Sequence, residues 1–164
     1  MFSPALLARA EKLLADARAR NLRIVTAESC TGGLIAGLLT EIAGSSDVFE
    51  RGFVTYSNQS KQELLGVPAA LIAQHGAVSA QVARAMALGA LARGRADLSL
   101  AVTGIAGPGG GKWDKPVGLV HLAAARGDHV ITRECRFGDI GRHDVRLKSV
   151  ETALDLLDLL LQSP

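Results

Sequence analysis

Residues 27–33 have the sequence Ala27-Glu28-Ser29-Cys30-Thr31-Gly32-Gly33, and they separate two apolar segments of different type. The preceding run, residues 22–26, is rich in β-branched side chains and predicts a strand, whereas residues 34–39 predict a buried helix. In open α/β sheets, ligands bind beside such turns, at the carboxyl ends of the strands. The stretch therefore predicts an α/β fold with a candidate site at Ser29.

Two explanations of this turn remain open at the level of sequence. Gly32 and Gly33 allow close backbone approach, and the first N–H groups of a helix have no intrahelical partner, so the turn is suited to binding an anion. Alternatively, Ser29 or Thr31 is an ordinary N-cap of the helix. The stretch alone does not separate a binding turn from a capped helix start.

Helical and strand-like segments alternate along the rest of the chain. Apolar periodicity predicts helices over 5–20, 59–65, 68–74, 80–93 and 142–161, and strands over 53–56, 97–102, 116–125 and 129–137. The last two strands are joined at 126–128 by a predicted hairpin turn. Because a hairpin adds antiparallel pairs to the strand–helix units, we expect one domain over residues 1–164 with a mixed, mainly parallel sheet.

Composition excludes several classes of protein. The net charge of +2 over 164 residues is small and dispersed, which does not indicate a nucleic-acid-binding protein. No apolar run approaches the roughly 20 residues that cross a bilayer, and the first residues do not resemble a signal peptide. Cys30 and Cys135 lack metal-ligand spacing, so reduced thiols are expected. We therefore expect a soluble cytoplasmic protein.

Polar clusters follow three predicted strands, at residues 29–33, 56–61 and 103–111. If these strands are parallel neighbours, all three clusters meet at one edge of the sheet. The most economical chemistry is then a Ser29 nucleophile activated by Lys61, provided that burial lowers the pKa of the lysine. Backbone N–H groups of a glycine-rich loop would stabilise an oxyanion. The alternative for Lys61 is a solvated lysine on a helix surface.

Other candidate groups give weaker signals. The glycine-rich loops match neither the phosphate loop of nucleoside triphosphatases nor the dinucleotide fingerprint. The histidines are scattered and predict no metal site, and Cys30 is better explained as a small buried filler than as a nucleophile. Arg142 and Arg146 lie one helical turn apart, where they form either a clamp for a phosphate or carboxylate or an exposed basic face.

Motifs along nearly the whole chain resemble the CinA C-terminal domain family. They comprise residues 27–33, Gly44-Ser45-Ser46, Gly52-Phe53-Val54-Thr55-Tyr56-Ser57-Asn58 with Lys61, His75-Gly76-Ala77-Val78-Ser79, Thr103-Gly104-Ile105-Ala106-Gly107-Pro108 with Gly110-Gly111, and Lys115-Pro116-Val117-Gly118. The family includes nicotinamide-nucleotide amidases, which convert nicotinamide mononucleotide to nicotinate mononucleotide and ammonia. The resemblance implies a three-layer α/β/α sandwich, a homodimer, a small nucleotide substrate, and no metal or other cofactor.

The resemblance also assigns residues to the site. It implies Ser29 as nucleophile, Lys61 as general base and Tyr56 as a proton relay or hydrogen-bond partner. Residues implied to bind substrate are Thr31, Gly32, Gly33, Ser46, Thr103, Gly104, Ala106, Gly107 and Arg142. Ser46 is also a rival nucleophile, and Arg146 is the alternative to Arg142 for the substrate phosphate.

A second hypothesis belongs to a different functional class. The competence and damage-inducible name of the family suggests a nucleotide-binding or interaction module without amidase activity. A binding module would bind nucleotide without releasing ammonia.

Overall fold

The computed structural model describes residues 1–164, and its strands form a single five-stranded sheet. The strands are β1 (Ile24–Glu28), β2 (Phe49–Val54), β3 (Leu98–Gly104), β4 (Leu119–Arg126) and β5 (His129–Arg136), in the spatial order β2-β1-β3-β4-β5. β1 is parallel to both β2 and β3, whereas β4 is antiparallel to β3 and β5. Four strands thus run in one direction and β4 in the other, which confirms the mixed sheet.

Helices cover both faces of this sheet. They are α1 (Pro4–Ala19), α2 (Leu34–Glu41), α3 (Asn58–Leu65), α4 (Ala69–His75), α5 (Ala80–Arg93) and α6 (Arg142–Gln162), and a short 3-10 turn spans Ser45–Asp47. α1, α2 and α6 pack on one face, while α5 covers the other and carries α3 and α4 against it. The three-layer α/β/α arrangement is confirmed. None of these helices combines the length and the apolar character needed to cross a membrane.

The two faces of the sheet differ in side-chain size. On β3, Leu98, Leu100 and Val102 point toward α1, α2 and α6, whereas Ala101 faces α5. Small side chains under α5 let that helix lie close to the sheet. α3 in turn lies close to α5, because residue 89 of α5 is a glycine. A Cβ at this position would collide with the carbonyl oxygen of Leu65. This close packing brings α3 to the edge where β1 ends.

Several predicted boundaries agree with the structure, and β2 differs. Ser57 and Ser79 cap α3 and α5, where their hydroxyl oxygens accept the N–H groups of Ser60 at 3.0 Å and Val82 at 3.3 Å. β2 starts at Phe49, four residues before the predicted strand, and Tyr56 lies beyond its end. The sequence pattern did not predict the first half of this edge strand, because charged residues and glycine are poor strand formers. The residues concerned are Glu50, Arg51 and Gly52.

Candidate active site

The three predicted polar clusters meet at one edge of the sheet, as expected from the parallel pairing of β2, β1 and β3. They surround a cavity of about 290 Å³. The predicted residues in its wall are Ser29, Tyr56, Lys61, Thr103, Gly104, Ala106, Gly107 and Arg142. The topology therefore brings together segments that lie far apart in the sequence.

Ser29 and Lys61 are in direct contact in this cavity. The ammonium of Lys61 donates to Ser29 Oγ at 3.0 Å and to the carbonyl oxygen of Thr55 at 2.8 Å. Lys61 is 1% exposed and Ser29 is 8% exposed. The alternative of a solvated Lys61 on a helix surface is therefore wrong.

Local structure explains how a lysine reaches this position. The Ser57 cap begins α3, and Lys61 and Leu65 form its inward face because residues four apart lie on the same side of a helix. Helical side chains lean toward the amino terminus, which directs Lys61 back toward the end of β2 and the carbonyl oxygen of Thr55. The amino end of α3 thus delivers the ammonium to Ser29.

Burial determines the acid–base character of Lys61. Removal from water disfavours the charged ammonium and lowers the pKa of Lys61 below its usual value. A lysine with a lowered pKa, in hydrogen-bond contact with a hydroxyl, is able to accept the hydroxyl proton. The pair is thus equipped to generate a serine nucleophile.

Glu28, rather than Ser29 or Thr31, caps helix α2. Its carboxylate accepts the Thr31 hydroxyl at 2.6 Å and the backbone N–H groups of Ile35 at 2.9 Å and Ala36 at 3.0 Å. The N-cap predictions for Ser29 and Thr31 are therefore wrong, since a buried carboxylate already satisfies the helix start. Ser29 is left free to face the cavity and Lys61.

Cys30 is a buried residue beside the nucleophile candidate. Desolvation raises the pKa of the Cys30 thiol to about 12. A thiol of this pKa stays protonated at neutral pH, and only the thiolate is an effective nucleophile. The structure thus supports the interpretation of Cys30 as a filler.

The two arginines at the start of α6 have different surroundings. Arg142 lines the cavity, where it donates to the carbonyl oxygen of Gly107 at 2.9 Å and to the Tyr56 hydroxyl at 3.0 Å. Arg146 donates instead to the carbonyl oxygens of Cys30 and Thr31, each at 3.1 Å. Arg146 thus supports the turn behind Ser29, whereas Arg142 faces the cavity.

Four residues that were expected to bind substrate lie outside the cavity wall. Thr31, Gly32 and Gly33 form the turn behind Ser29, where the Thr31 hydroxyl is bound to Glu28 and Gly32 and Gly33 adopt positive φ angles. Ser46 lies in the 3-10 turn before β2, at the amino ends of the parallel strands. Because Ser29 follows the carboxyl end of β1, the expectation that the Ser46 loop reaches the same edge within one chain is wrong.

The connector between α4 and α5 contributes residues to which the sequence assigned no role. Ala77 and Val78 line the cavity, and the carbonyl oxygen of Ala77 accepts the Thr103 hydroxyl at 2.9 Å. Gly76 has a φ of 76°, which only glycine adopts easily. A glycine at this position is therefore the feature of the sequence that indicates a sharp turn in this connector. No three His, Cys, Asp or Glu side chains lie together as a metal site would require.

Comparisons with known proteins identify the family of the chain. The family described as the CinA C-terminal domain matches residues 7–161. The chain belongs to the CinA C-terminal domain family. A crystal structure of the competence/damage inducible protein CihA from Agrobacterium tumefaciens superposes on this CinA domain with a TM-score of 0.97, at 53% identity and over 99% of both chains.

The relatives of the chain fall into two groups by length. Nicotinamide-nucleotide amidohydrolase PncC of Escherichia coli K12 is 51% identical over 142 residues, which are 85% of each chain. A CinA-like protein of Geobacter sulfurreducens is 55% identical over 141 residues, but the match covers only 34% of that protein. The match to a longer relative from Caldicellulosiruptor bescii covers 33% of it. The chain thus spans about a third of the longer relatives and most of PncC.

Proposed function

We propose that this CinA domain hydrolyses the carboxamide of nicotinamide mononucleotide to nicotinate mononucleotide and ammonia. The observation that carries the proposal is the buried contact of 3.0 Å between Lys61 Nζ and Ser29 Oγ in the wall of a cavity. Similarity to PncC over 85% of both chains supports the choice of substrate. Burying an ammonium group costs free energy and favours the neutral amine. A neutral lysine in contact with a hydroxyl is suited to proton transfer, whereas passive binding of a ligand does not require it to be buried.

The first step would form an acyl-enzyme. Neutral Lys61 accepts the Ser29 proton while Ser29 Oγ bonds to the amide carbon, and the carbonyl π electrons move to oxygen to give a tetrahedral oxyanion. The N–H groups of Cys30 and Thr31 donate to no acceptor within the chain, although both directly follow Ser29 in the turn. An N–H just after the nucleophile is a common oxyanion donor, and we assign that role to Cys30.

The second half of the reaction would use the same lysine. As the tetrahedral intermediate collapses, the C–N bond breaks and protonated Lys61 donates its proton to the leaving ammonia. Neutral Lys61 then takes a proton from water as the water oxygen attacks the ester carbon. Cleavage of the ester C–O bond releases the carboxylic acid product, and Ser29 recovers its proton from Lys61. The proton balance therefore needs only Lys61, Ser29, the substrate and one water molecule.

The remaining wall residues would orient the substrate. Thr103, Gly104, Ala106 and Gly107 border the reacting pair and are proposed to contact the nicotinamide and ribose. Arg142 retains unused guanidinium donors beside the cavity and is the proposed ligand of the phosphate. Tyr56, through its hydroxyl on Arg142, is proposed as a hydrogen-bond partner at the cavity mouth. We further propose a cytoplasmic homodimer, which light scattering and cell fractionation would test.

The test is ammonia release from nicotinamide mononucleotide by the purified protein, with a chelator present. We expect release with the wild type and a loss of at least about a hundredfold in turnover with Ser29→Ala, as for other groups acting on the transition state. Ser60→Ala is a matched control, because Ser60 is on the same helix as Lys61 and lies outside the cavity. Folded wild-type protein that binds the nucleotide without releasing ammonia would support the binding-module hypothesis instead.

A further inference from the structure

A second cavity continues from the candidate active site. This outer cavity has a volume of about 610 Å³ and includes His75, Gly76, Lys112, Asp114 and Lys115 in its wall. It adjoins the active-site cavity and has four wall residues in common with it, Ala77, Val78, Ile105 and Gly110. A group bound in the outer cavity would therefore lie beside the substrate without touching Ser29.

Lys115 is a fixed cation in the wall of the outer cavity. Its ammonium donates to the carbonyl oxygens of His75 and, at 2.9 Å, Val78. It forms no ion pair with any carboxylate of the chain. An ammonium has three N–H donors, so one remains for a ligand. The side chain is half-buried, which holds this unneutralised charge in place.

Gly76 is shaped to accommodate this ammonium. A Cβ at residue 76 would lie 2.8 Å from Lys115 Nζ, closer than van der Waals contact allows. Gly76 has a positive φ, and the carbonyl oxygens of His75 before it and Val78 after it both accept from the lysine. The two sequence motifs at 75–79 and 115–118 thus meet at one cation, to which the proposed amidase reaction assigns no role.

Charge in the outer cavity favours an anion. Lys112 and Lys115 belong to one tight turn, closed by backbone hydrogen bonds of 2.7 and 3.1 Å between them. The Lys112 ammonium has no hydrogen-bond partner in the chain, and Asp114 is the only carboxylate in the wall. Two lysines against one aspartate leave the cavity net positive, and the Asp114 carboxylate pairs with neither.

An unpartnered buried group lies next to this cation. Lys115 and His75 also line a neighbouring cavity of about 360 Å³ that contains His121. His121 is 7% exposed, and its Nδ1 has no hydrogen-bond partner. His121 lies outside the wall of the outer cavity, so this nitrogen adds to the polar surroundings of Lys115 and is not a ligand of an anion bound there.

We propose that the outer cavity is a second anion subsite, in which Lys115 and Lys112 bind a phosphate group. This subsite is distinct from the proposed phosphate ligand Arg142, which lines only the active-site cavity. The bound group is either inorganic phosphate or the phosphate of a phosphate ester. Because the two cavities share four wall residues, a group bound in the outer subsite lies next to the active-site cavity.

The test is calorimetric titration of the intact chain with inorganic phosphate, which needs no turnover. We expect a Kd on the order of 1 mM for the wild type, which corresponds to a few charge-assisted contacts. Lys112→Ala and Lys115→Met should each weaken binding at least about fivefold. Arg142→Ala removes the proposed phosphate ligand of the active site and should retain a phosphate-binding event with this Kd. Lys148→Ala, a control on the exposed side of α6, should change the Kd less than about twofold.

The variants also separate the possible failures. Lys115→Met removes the hydrogen bonds that hold the connector at residues 75–78 and is able to disturb the fold. The Lys112 side chain forms no hydrogen bond in the chain, so the Kd of Lys112→Ala reports on phosphate binding independently of folding. Loss of phosphate binding in Arg142→Ala alone, or equal affinity in all variants, would overturn the outer subsite. Failure of ammonia release would leave the titration unaffected.

A second titration identifies the source of the phosphate. Ribose 5-phosphate that binds at least about tenfold more tightly than inorganic phosphate, through the same two lysines, would assign the subsite to a phosphate ester. Equal affinities would assign it to inorganic phosphate. Both results support the subsite.

Discussion

The carboxylate of Glu28 accepts the backbone N–H of Ile35 at 2.9 Å and so joins the end of β1 to the start of α2. Glu28 thus occupies the amino terminus of α2, which the sequence predicted as a binding position for an anionic ligand. The anion is a buried side chain of the protein itself, one residue before the proposed nucleophile. Glu28 thus fixes the turn from which Ser29 reaches Lys61.

Glu28→Ala should destabilise the protein by about 2–4 kcal/mol, because it removes the α2 cap and leaves buried N–H groups unpaired. Glu28→Gln should cost less, since its amide oxygen still accepts one of the N–H groups. Urea unfolding measures both changes. The exposed Glu11→Ala is the control and should stay within about 0.5 kcal/mol of the wild type. Equal stability of Glu28→Ala and Glu11→Ala would contradict the capping role.

Activity should rise with pH as Lys61 loses its proton, because only the neutral amine accepts the Ser29 proton. Burial lowers the pKa of Lys61, so the rise should occur below the usual lysine value of about 10.4. The measurement is kcat/KM against pH. Lys61→Arg should lose at least about a hundredfold at every pH, since a guanidinium does not deprotonate in this range. Full activity in Lys61→Arg would remove the general-base role.

Stability should also depend on the charge of Lys61. Its folded pKa is lowered, so below that value the lysine is charged in both states and the cost of burying it counts in full. The cost disappears as the pH rises to the unfolded value of about 10.4. The free energy of unfolding of the wild type should therefore increase with pH relative to Lys61→Met. Urea unfolding across this range measures the difference, and a pH-independent difference would count against a buried, charged Lys61.

Alkylation should not reach Cys30 in the folded protein. The pKa of about 12 leaves almost no thiolate at pH 7.5, and the side chain is buried. Iodoacetamide should leave ammonia release within about twofold of the untreated enzyme, with mass spectrometry locating any label. Unfolding in urea should expose both thiols to the reagent, which is the control. Rapid labelling of Cys30 with loss of activity would make the thiol part of the chemistry.

The sequence predicted the mixed sheet, the hairpin and the meeting of three polar clusters, because these follow from periodicity and from the geometry of parallel strands, whereas the three layers were implied by the family resemblance. Lys61 is the informative case. Its position after a strand placed it at the correct edge, but nothing local distinguished it from a surface lysine. Burial depended on the approach of α3 to α5 through Gly89, a contact between residues far apart in the chain.

The errors have the same physical origin. Ser29 and Thr31 are good N-cap residues, yet Glu28 reaches the helix start from the preceding strand and displaces them. Ser46 lies in a polar loop that contains a glycine, as Ser29 does, but strand direction places it at the opposite end of the sheet. The order of loop and strand along the chain decides this end, because a loop before a parallel strand lies at its amino end and a loop after it lies at its carboxyl end.

Substitutions of Arg142 and Arg146 test which of the two arginines binds the phosphate of the substrate. Arg142→Ala should raise KM for nicotinamide mononucleotide at least about tenfold, because a charge-assisted contact to phosphate contributes about 1.5–3 kcal/mol. KM for nicotinamide riboside, which lacks the phosphate, should change less than about threefold. Arg146→Ala should instead lower stability without separating the two substrates, since Arg146 donates only to the carbonyl oxygens of Cys30 and Thr31. A substrate-dependent KM in Arg146→Ala and none in Arg142→Ala would reverse the assignment.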